Sequence, residues 1–463
     1  MSGNRALFDL QKDYFLTDTT KSLAWRMDQL DRLERLLIEN EDALREALAN
    51  DFKTAWFEQG MEYYASLGSV ADAKENLADW MAPEDAPLSR RMRETGHKGV
   101  IHREPYGVCL IVAPFNAPIA LTFDPLVAAL AAGNTVIVKP STATTNTSAL
   151  IENLIARYFE TEAVAVVTGD RETLTELMTF PFDFMFFTGS THVGKIVMRA
   201  AAEHLTPVLL ELGGQCPVVV DETANVKDAA EKIVWGAMAF AGQWCVSPGY
   251  VYVHASVADV FVEACKAAIR KFYGTDPKSS PDYSRVISTQ EVDRLAGMLK
   301  GASVVAGGSY DREARYFDPT IVYPAQWGIP IMDREIFGPI LPILTFTELA
   351  PVLDVLKRQP RPLAAYVFSA NRSVVERFIA GFSFGGGAVN QAVVHCFMSS
   401  MPFGGVGTSG MGRYHGKFGF DALSHAKSVV YSPVDVTIDA VLPPYTKEKA
   451  AALGEWFAAP SAP

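Results

Sequence analysis

The sequence is short of the features that would place it in several large functional classes. It has no CxxC pair, no HExxH and no comparable spacing among its 8 histidines, so zinc chemistry is not expected and no metal is predicted. Its five cysteines, Cys109, Cys216, Cys245, Cys265 and Cys396, are odd in number, which fits reduced thiols in a cytosolic protein better than a disulfide framework. Basic residues are outnumbered 41 to 53 by acidic ones, and the resulting net charge of -12 repels nucleic acid and anionic lipid, neither of which is expected as a partner. No segment approaches the roughly 20 apolar residues of a membrane span. The opening MSGNRALFDLQKDYF lacks the apolar core of a signal peptide, and the expectation is a cytoplasmic protein. No internal repeat or low-complexity block occurs.

What is present is enough chain, 463 residues and 49% apolar, for two or three well-packed domains. From Ser22 to Phe52, Leu23, Met27, Leu30, Leu33, Leu37 and Leu44 recur near helical spacing, and a second helical stretch reaches Trp80. MAPEDAPLSRRMRETGHKG, rich in proline and charge, is predicted to be a connector or excursion. Short apolar runs follow at Gly107 to Phe115, Thr135 to Lys139, Ala163 to Val167, Phe184 to Phe187 and Val208 to Leu210, with helical segments between most of them. A second series has candidate strands at Val218 to Val220, Tyr250 to Val253, Ala364 to Phe368 and Ala388 to Asn390, with helices around Asn225 to Ala241, Val257 to Phe272 and Val374 to Ala380. Alternation of this kind predicts an α/β protein with mainly parallel sheets. MPFGGVGTSGMGRYHGKFGFDALSH, dense in glycine, is expected to form a long shaped loop.

Among the cysteines, Cys109 lies within an apolar strand and Cys265 on an amphipathic helix; both read as buried small hydrophobes. Cys216 and Cys396 have no evident activation. Cys245, in AGQWCVSPG, sits where a helix gives way to turn residues, a place where backbone N–H groups can favour the thiolate. Three other signals fall at strand ends. Glu211 in LLELGGQ closes an apolar run before a double glycine; FTGSTHVG (Phe187 to Gly194) puts a glycine turn between strand and helix, suited to a phosphate; and VKPS puts Lys139 where a cofactor hydroxyl could sit. Asn116 follows GVCLIVAPF, and its amide could donate to an oxyanion.

PFDFMFFTGSTHVGK, HLTPVLLELGGQCPVVVD, GQWCV, DREIFGPILPI, GAVN and the glycine-dense segment resemble, in order, the motifs of the aldehyde dehydrogenase superfamily, and most closely its class 3 group, which includes benzaldehyde and fatty aldehyde enzymes. The similarity runs from Ala6 to Ser432. It implies an aldehyde dehydrogenase-like fold of two parallel-sheet α/β domains and a β oligomerisation arm. Residues 1–210 would be mainly the NAD(P)-binding domain, with an arm excursion near 83–103. Residues 211–394 would be the catalytic domain, 401–432 the arm and substrate-site loop, and 433–463 a C-terminal tail. It further implies Cys245 as nucleophile, Glu211 as general base and Asn116 as oxyanion donor. For NAD or NADP it implies Lys139 at the adenine ribose, Gly189, Ser190 and Gly194 around the pyrophosphate, Leu212 beside them, and Glu335 with Phe337 at the nicotinamide ribose. The counterpart of Glu335 has also been considered as a base. The implied reaction oxidises an aldehyde through a thiohemiacetal and a thioester that activated water hydrolyses, in a homodimer. Thioester transfer to coenzyme A and a catalytically silent scaffold on the same fold are the competing readings.

Four positions depart from the family's pattern, three of them with a readable consequence. Ala117 stands where a tyrosine usually follows the oxyanion asparagine, and Trp244 stands where a small residue usually precedes the nucleophile. If both line the substrate pocket, an aromatic aldehyde near Trp244 is the expected substrate, with a medium-chain aliphatic aldehyde as the alternative. Thr142 stands where an acid often contacts the adenine ribose, so NADP is expected to be tolerated beside NAD. Gln215 replaces a common lysine, and the sequence offers no physical account of it.

Overall fold

The structure, a computed structural model, describes residues 3–459. The outermost ends of the expected N-terminal domain and tail, residues 1–2 and 460–463, lie outside the described residues.

Two sheets organise the chain. The first has six strands in the order Gly410–Met411, Val208–Leu212, Phe184–Gly189, Val108–Val112, Thr135–Lys139 and Val164–Val166. All neighbours are parallel except Gly410–Met411, which runs antiparallel to Val208–Leu212 with Gly410 opposite Glu211. Val108–Val112 and Thr135–Lys139 are buried at every position, as their unbroken apolar runs require. Helices cover both faces. Ala120–Ala132 packs under the sheet and is itself covered by Trp56–Met81.

The second sheet has seven strands in the order Val304–Ala306, Thr320–Val322, Ile340–Phe346, Pro248–His254, Cys216–Val220, Ala364–Phe368 and Gly386–Val389, with only the Val304–Ala306 edge antiparallel. The first sheet continues through Leu212, so the passage between sheets falls at Gly213–Gly214 and not at residue 211. The reason is pairing: Glu211 and Leu212 stay in register with Thr188 and Gly189.

The structure differs from the sequence expectation elsewhere too. The first long helical segment is two helices, Leu23–Glu39 and Glu41–Asp51, broken at Asn40, whose side chain donates to the Leu36 carbonyl at 2.8 Å and to Tyr158 at 3.0 Å. The glycine-dense segment is not one loop. It adds a strand to the first sheet, forms the helix Gly416–Ala422, and only then gives the arm strand Ser424–Tyr431, which pairs with Lys98–Pro105 and, through it, Glu84–Ala86. The tail carries a helix, Lys447–Trp456, docked on the arm by Ser89, which donates to the Trp456 carbonyl at 2.6 Å.

Candidate active site

The loop carrying Cys245 is built by a sharp reversal. Helix Val226–Met238 ends, and Phe240, Ala241 and Gly242 follow with φ of 54°, 51° and 69°, three successive left-handed residues. Gly242 is required there, since a Cβ would collide with the Gly338 carbonyl. Buried Gln243 clamps the turn: its amide donates to the carbonyls of Phe240 and Arg285 at 2.9 Å each and accepts from Ile287 N–H at 2.9 Å. Trp244 donates its indole N–H to Gly236 at 2.7 Å and lies against Phe240, ring centroids 4.7 Å apart. Its polar handle is thus consumed, and it meets the adjoining cavity as an apolar wall. Half-buried Cys245 follows, with the Cys216 thiol donating to its carbonyl at 3.4 Å.

Cys245 and Asn116 stand between two cavities and line both. On one side is a cleft of about 440 Å³, bounded by Gly189, Ser190, Glu211, Leu212, Glu335 and Phe337. On the other is a small apolar cavity of about 90 Å³ that includes Ala117, Phe240, Trp244 and Tyr414. It adjoins a wider mouth of about 380 Å³, with which it shares Met61, Asp124, Phe397 and His415. The cleft lies where ligands of parallel sheets bind, at the carboxyl ends of the first sheet's strands. The facing wall comes from the loops that enter the second sheet, Cys245 just before Pro248–His254 and Glu335 just before Ile340–Phe346.

Glu211 is 3% exposed, and neither of its carboxylate oxygens has a hydrogen-bond partner among the described residues. Burial pushes its pKa well above the usual carboxyl value, against a weaker pull from Arg413. A Cβ at Gly404 would lie 3.1 Å from its Oε1, so the glycine-dense segment wraps this carboxyl closely. Glu335 accepts from the Gly214 N–H and is raised to about 7 by burial. The Cys245 thiol is also pushed up, first by burial and then by Cys396, Glu211 and Glu335. Burial and these neighbours favour the neutral thiol, opposite in sign to the backbone activation expected from the sequence.

Two residues fall apart from the cleft wall. Lys139 donates to the Pro140 carbonyl at 2.9 Å, and Ser141 supplies the wall beside it. Gly194 lies under Leu212, whose side chain would be 2.7 Å from a Cβ there; it brings helix Thr191–Ala202 close to the sheet. Thr142 is exposed, and the acid felt at Lys139 is Asp170. Gln215 now has an account: it donates to the Ile331 carbonyl at 3.0 Å and ties the double glycine to the segment leading to Glu335.

Sequence reading missed the buried network behind Asn116. Fully buried Lys53 pairs with Glu62 and donates to the Asn116 carbonyl at 2.9 Å. The second oxygen of Glu62 accepts the Ile119 N–H at 2.8 Å. Glu58 accepts the Phe240 N–H at 2.7 Å and the Ser284 hydroxyl at 2.5 Å. One helix, Trp56–Met81, therefore steadies both the Asn116 segment and the turn that presents Cys245.

Comparison with known proteins decides the family. Residues 13–429 match the model of the aldehyde dehydrogenase family. The chain belongs to the aldehyde dehydrogenase family. It is 42% identical over 437 residues to the 4,4'-diaponeurosporen-aldehyde dehydrogenase of Staphylococcus aureus, covering 94% of this chain and 95% of the other. It is 40% identical over 438 residues to aldehyde dehydrogenase family 3 member B1 of Rattus norvegicus, covering 94% and 93%. The solved structure of a substrate-bound state of Staphylococcus aureus AldH superposes with a TM-score of 0.95 at 40% identity, covering 99% of this chain and 100% of the other.

As an aldehyde dehydrogenase, the protein is an enzyme that uses NAD or NADP, and the cleft fits such a cofactor. The N-terminus of the 12-residue helix Thr191–Ala202 opens on it at Ser190, a setting for phosphate. Gly213 leaves no room for a Cβ against the Glu335 carboxyl, whose paired oxygens suit a ribose diol. Among the described residues, no helix is long and apolar enough to cross a membrane.

Proposed function

We propose that this aldehyde dehydrogenase oxidises an aromatic aldehyde to its acid, with Cys245 as nucleophile, Asn116 as oxyanion donor and Glu211 as base. The observation that carries this reading is the position of Cys245 and Asn116 on the wall common to both cavities, with Glu211 on the cleft side. The Cys245 thiol gives up its proton to solvent, and the thiolate Sγ bonds to the carbonyl carbon. The Asn116 amide and the Cys245 N–H hold the resulting oxyanion. A bound nicotinamide supplies the acceptor for the hydride that this carbon then loses. Cys245 retains the acyl group as a thioester. Glu211 takes a proton from water, the hydroxide adds, and the acid leaves as Glu211 returns that proton to Sγ and the thiol re-forms.

In the cleft, the helix end at Ser190 would meet the pyrophosphate, Glu335 and Phe337 the nicotinamide ribose, and Lys139 the adenine ribose. The side chains present support acceptance of both NAD and NADP. The five free cysteines support residence in a reducing cytoplasm. The arm strand Ser424–Tyr431 pairs along one edge only, which supports a homodimer closed by a second copy. A relative at 38% identity, from Mus musculus, is named a dimeric NADP-preferring aldehyde dehydrogenase.

Trp244, Phe240 and Tyr414 around the reacting end favour a flat ring. The adjoining mouth favours, as a second reading, an aliphatic chain directed outward past Met61. Trp244→Thr distinguishes them through the ratio of kcat/KM for benzaldehyde to that for octanal. The aromatic reading requires that ratio to fall, and an unchanged ratio would sink it.

A further inference from the structure

Several carboxyls lie enclosed in the molecule, and most are satisfied. Both oxygens of Asp51 accept main-chain N–H groups, those of Glu62 are taken by Lys53 and by Ile119, and those of Glu58 by Phe240 and Ser284. Among the described residues, only Glu211 and Asp124 have buried carboxyl oxygens without a hydrogen-bond partner. Glu211 has its use as the base. Asp124 has none in the chemistry above. An enclosed acceptor left unserved is costly, and in a binding cavity it points to a ligand that supplies the donor.

Asp124 sits on helix Ala120–Ala132, two turns beyond Asn116 in sequence, and lines both the cavity that holds Cys245 and the mouth outside it. Ser69, on the facing helix, serves the carboxyl from one side, while Oδ1 has no partner. Most of the surrounding wall is apolar or aromatic, with Met61, Phe397 and Tyr414 among it, and Glu62, Asn116 and His415 are its other polar side chains on the inner cavity. No lysine or arginine lines either cavity. Burial lifts the carboxyl to about 7. A neutral hydroxyl can meet such an acceptor without bringing a second charge out of water, as an ammonium would.

Resting on the assignment of this cavity to the aldehyde, we propose that Asp124 is a specificity-determining residue that accepts a hydrogen bond from a hydroxyl group on the substrate, remote from its carbonyl. The preferred substrates are therefore hydroxyl-bearing aldehydes. The aldehyde carbon stands at Cys245 and the hydroxyl at Asp124, with the apolar part of the molecule between them.

The test uses isosteric pairs: para-hydroxybenzaldehyde against para-methylbenzaldehyde, and ω-hydroxyhexanal against heptanal. The readout is the hydroxyl-to-methyl ratio of kcat/KM, which does not depend on how much of a variant is folded, because both substrates meet the same molecules. Wild type should favour the hydroxyl member of at least one pair. Asp124→Leu should lower that pair's ratio by about 10- to 100-fold, the scale of a hydrogen bond to a charged acceptor. Asp124→Asn, which keeps an acceptor oxygen, should retain part of it. Ratios within twofold of wild type for both pairs, with turnover retained, would overturn the role of Asp124 alone. Absence of Cys245-dependent turnover in wild type would overturn this proposal together with the aldehyde reading of the cavity.

Discussion

The ammonium of Lys53 lies 2.9 Å from the main-chain carbonyl of Asn116, so a fully buried positive charge anchors the segment that bears the candidate oxyanion donor. The charge is balanced by Glu62, itself bound to the start of the next helix through Ile119. Removing one member of such a pair leaves the other charged in an apolar surround.

Lys53→Met should therefore destabilise the protein by about 3–5 kcal/mol and lower kcat more than it changes KM. The double variant Lys53→Met/Glu62→Leu should recover part of the stability, because no charge is then stranded. Thermal melts and steady-state kinetics check this. An unchanged melting temperature in the single variant would contradict the anchoring role.

Gly242 and Gly297 make a contrasting pair. Gly242 has φ of 69° and no room for a Cβ beside the Gly338 carbonyl, whereas a Cβ at Gly297, within helix Thr289–Met298, would meet nothing within 4 Å. Gly242→Ala should displace the Cys245 loop and abolish most activity. Gly297→Ala should leave activity intact and add up to about 1 kcal/mol of helix stability. Equal effects from the two would contradict the close approach as the reason for Gly242.

The division of labour between Glu211 and Glu335 is open to a burst experiment. If Glu211 activates water, Glu211→Gln should release about one equivalent of reduced cofactor per site and then turn over some 10²–10⁴-fold more slowly. Glu335→Gln should mainly raise the KM for the cofactor. Burial raises the Glu211 carboxyl, so its base form is lost as pH falls through a value above the ordinary carboxyl range. The acid limb of kcat in wild type should accordingly lie well above pH 4.5, the ordinary value. A limb at that ordinary value, or a burst in Glu335→Gln instead, would shift the base role away from Glu211.

NADP should be accepted beside NAD. Thr142 adds no charge to the proposed adenine-ribose site, and Asp170 directs its carboxylate to the N–H groups of Glu172 and Thr173. Comparison of kcat/KM for the two cofactors measures this. A preference for NAD above about a thousandfold, roughly 4 kcal/mol, would count against it.

How much of this was legible in the sequence follows from how far each feature depends on distant partners. Thr135–Lys139 could be read directly, because a strand buried on both faces must be apolar throughout. Ile340–Phe346, an interior strand of the second sheet, went unread: Pro342 interrupts its pattern, and parallel pairing with Thr320–Val322 and Pro248–His254 overrides that local signal. Cys245, Glu211 and Asn116 lie in motifs, and the fold brings them to one place. Lys53, Glu62 and Asp124 lie in none of the motifs that the sequence offered. Their meaning lies in contacts such as Lys53 to Asn116, which join positions far apart in the chain. Cys245 stood out in the sequence as the candidate nucleophile but its environment did not, since the burial that raises its pKa, and after it Cys396, Glu211 and Glu335, arise only when distant segments fold together.

The central claim is that Cys245 carries the acyl group of an aldehyde to water. Its most direct test mixes the protein with benzaldehyde and NAD or NADP, without coenzyme A, and follows the absorbance of the reduced cofactor and the appearance of benzoate. The predicted result is steady turnover by wild type and a loss of at least about a thousandfold in Cys245→Ala. Turnover that survives in Cys245→Ala, or that appears only when coenzyme A is added, would contradict it.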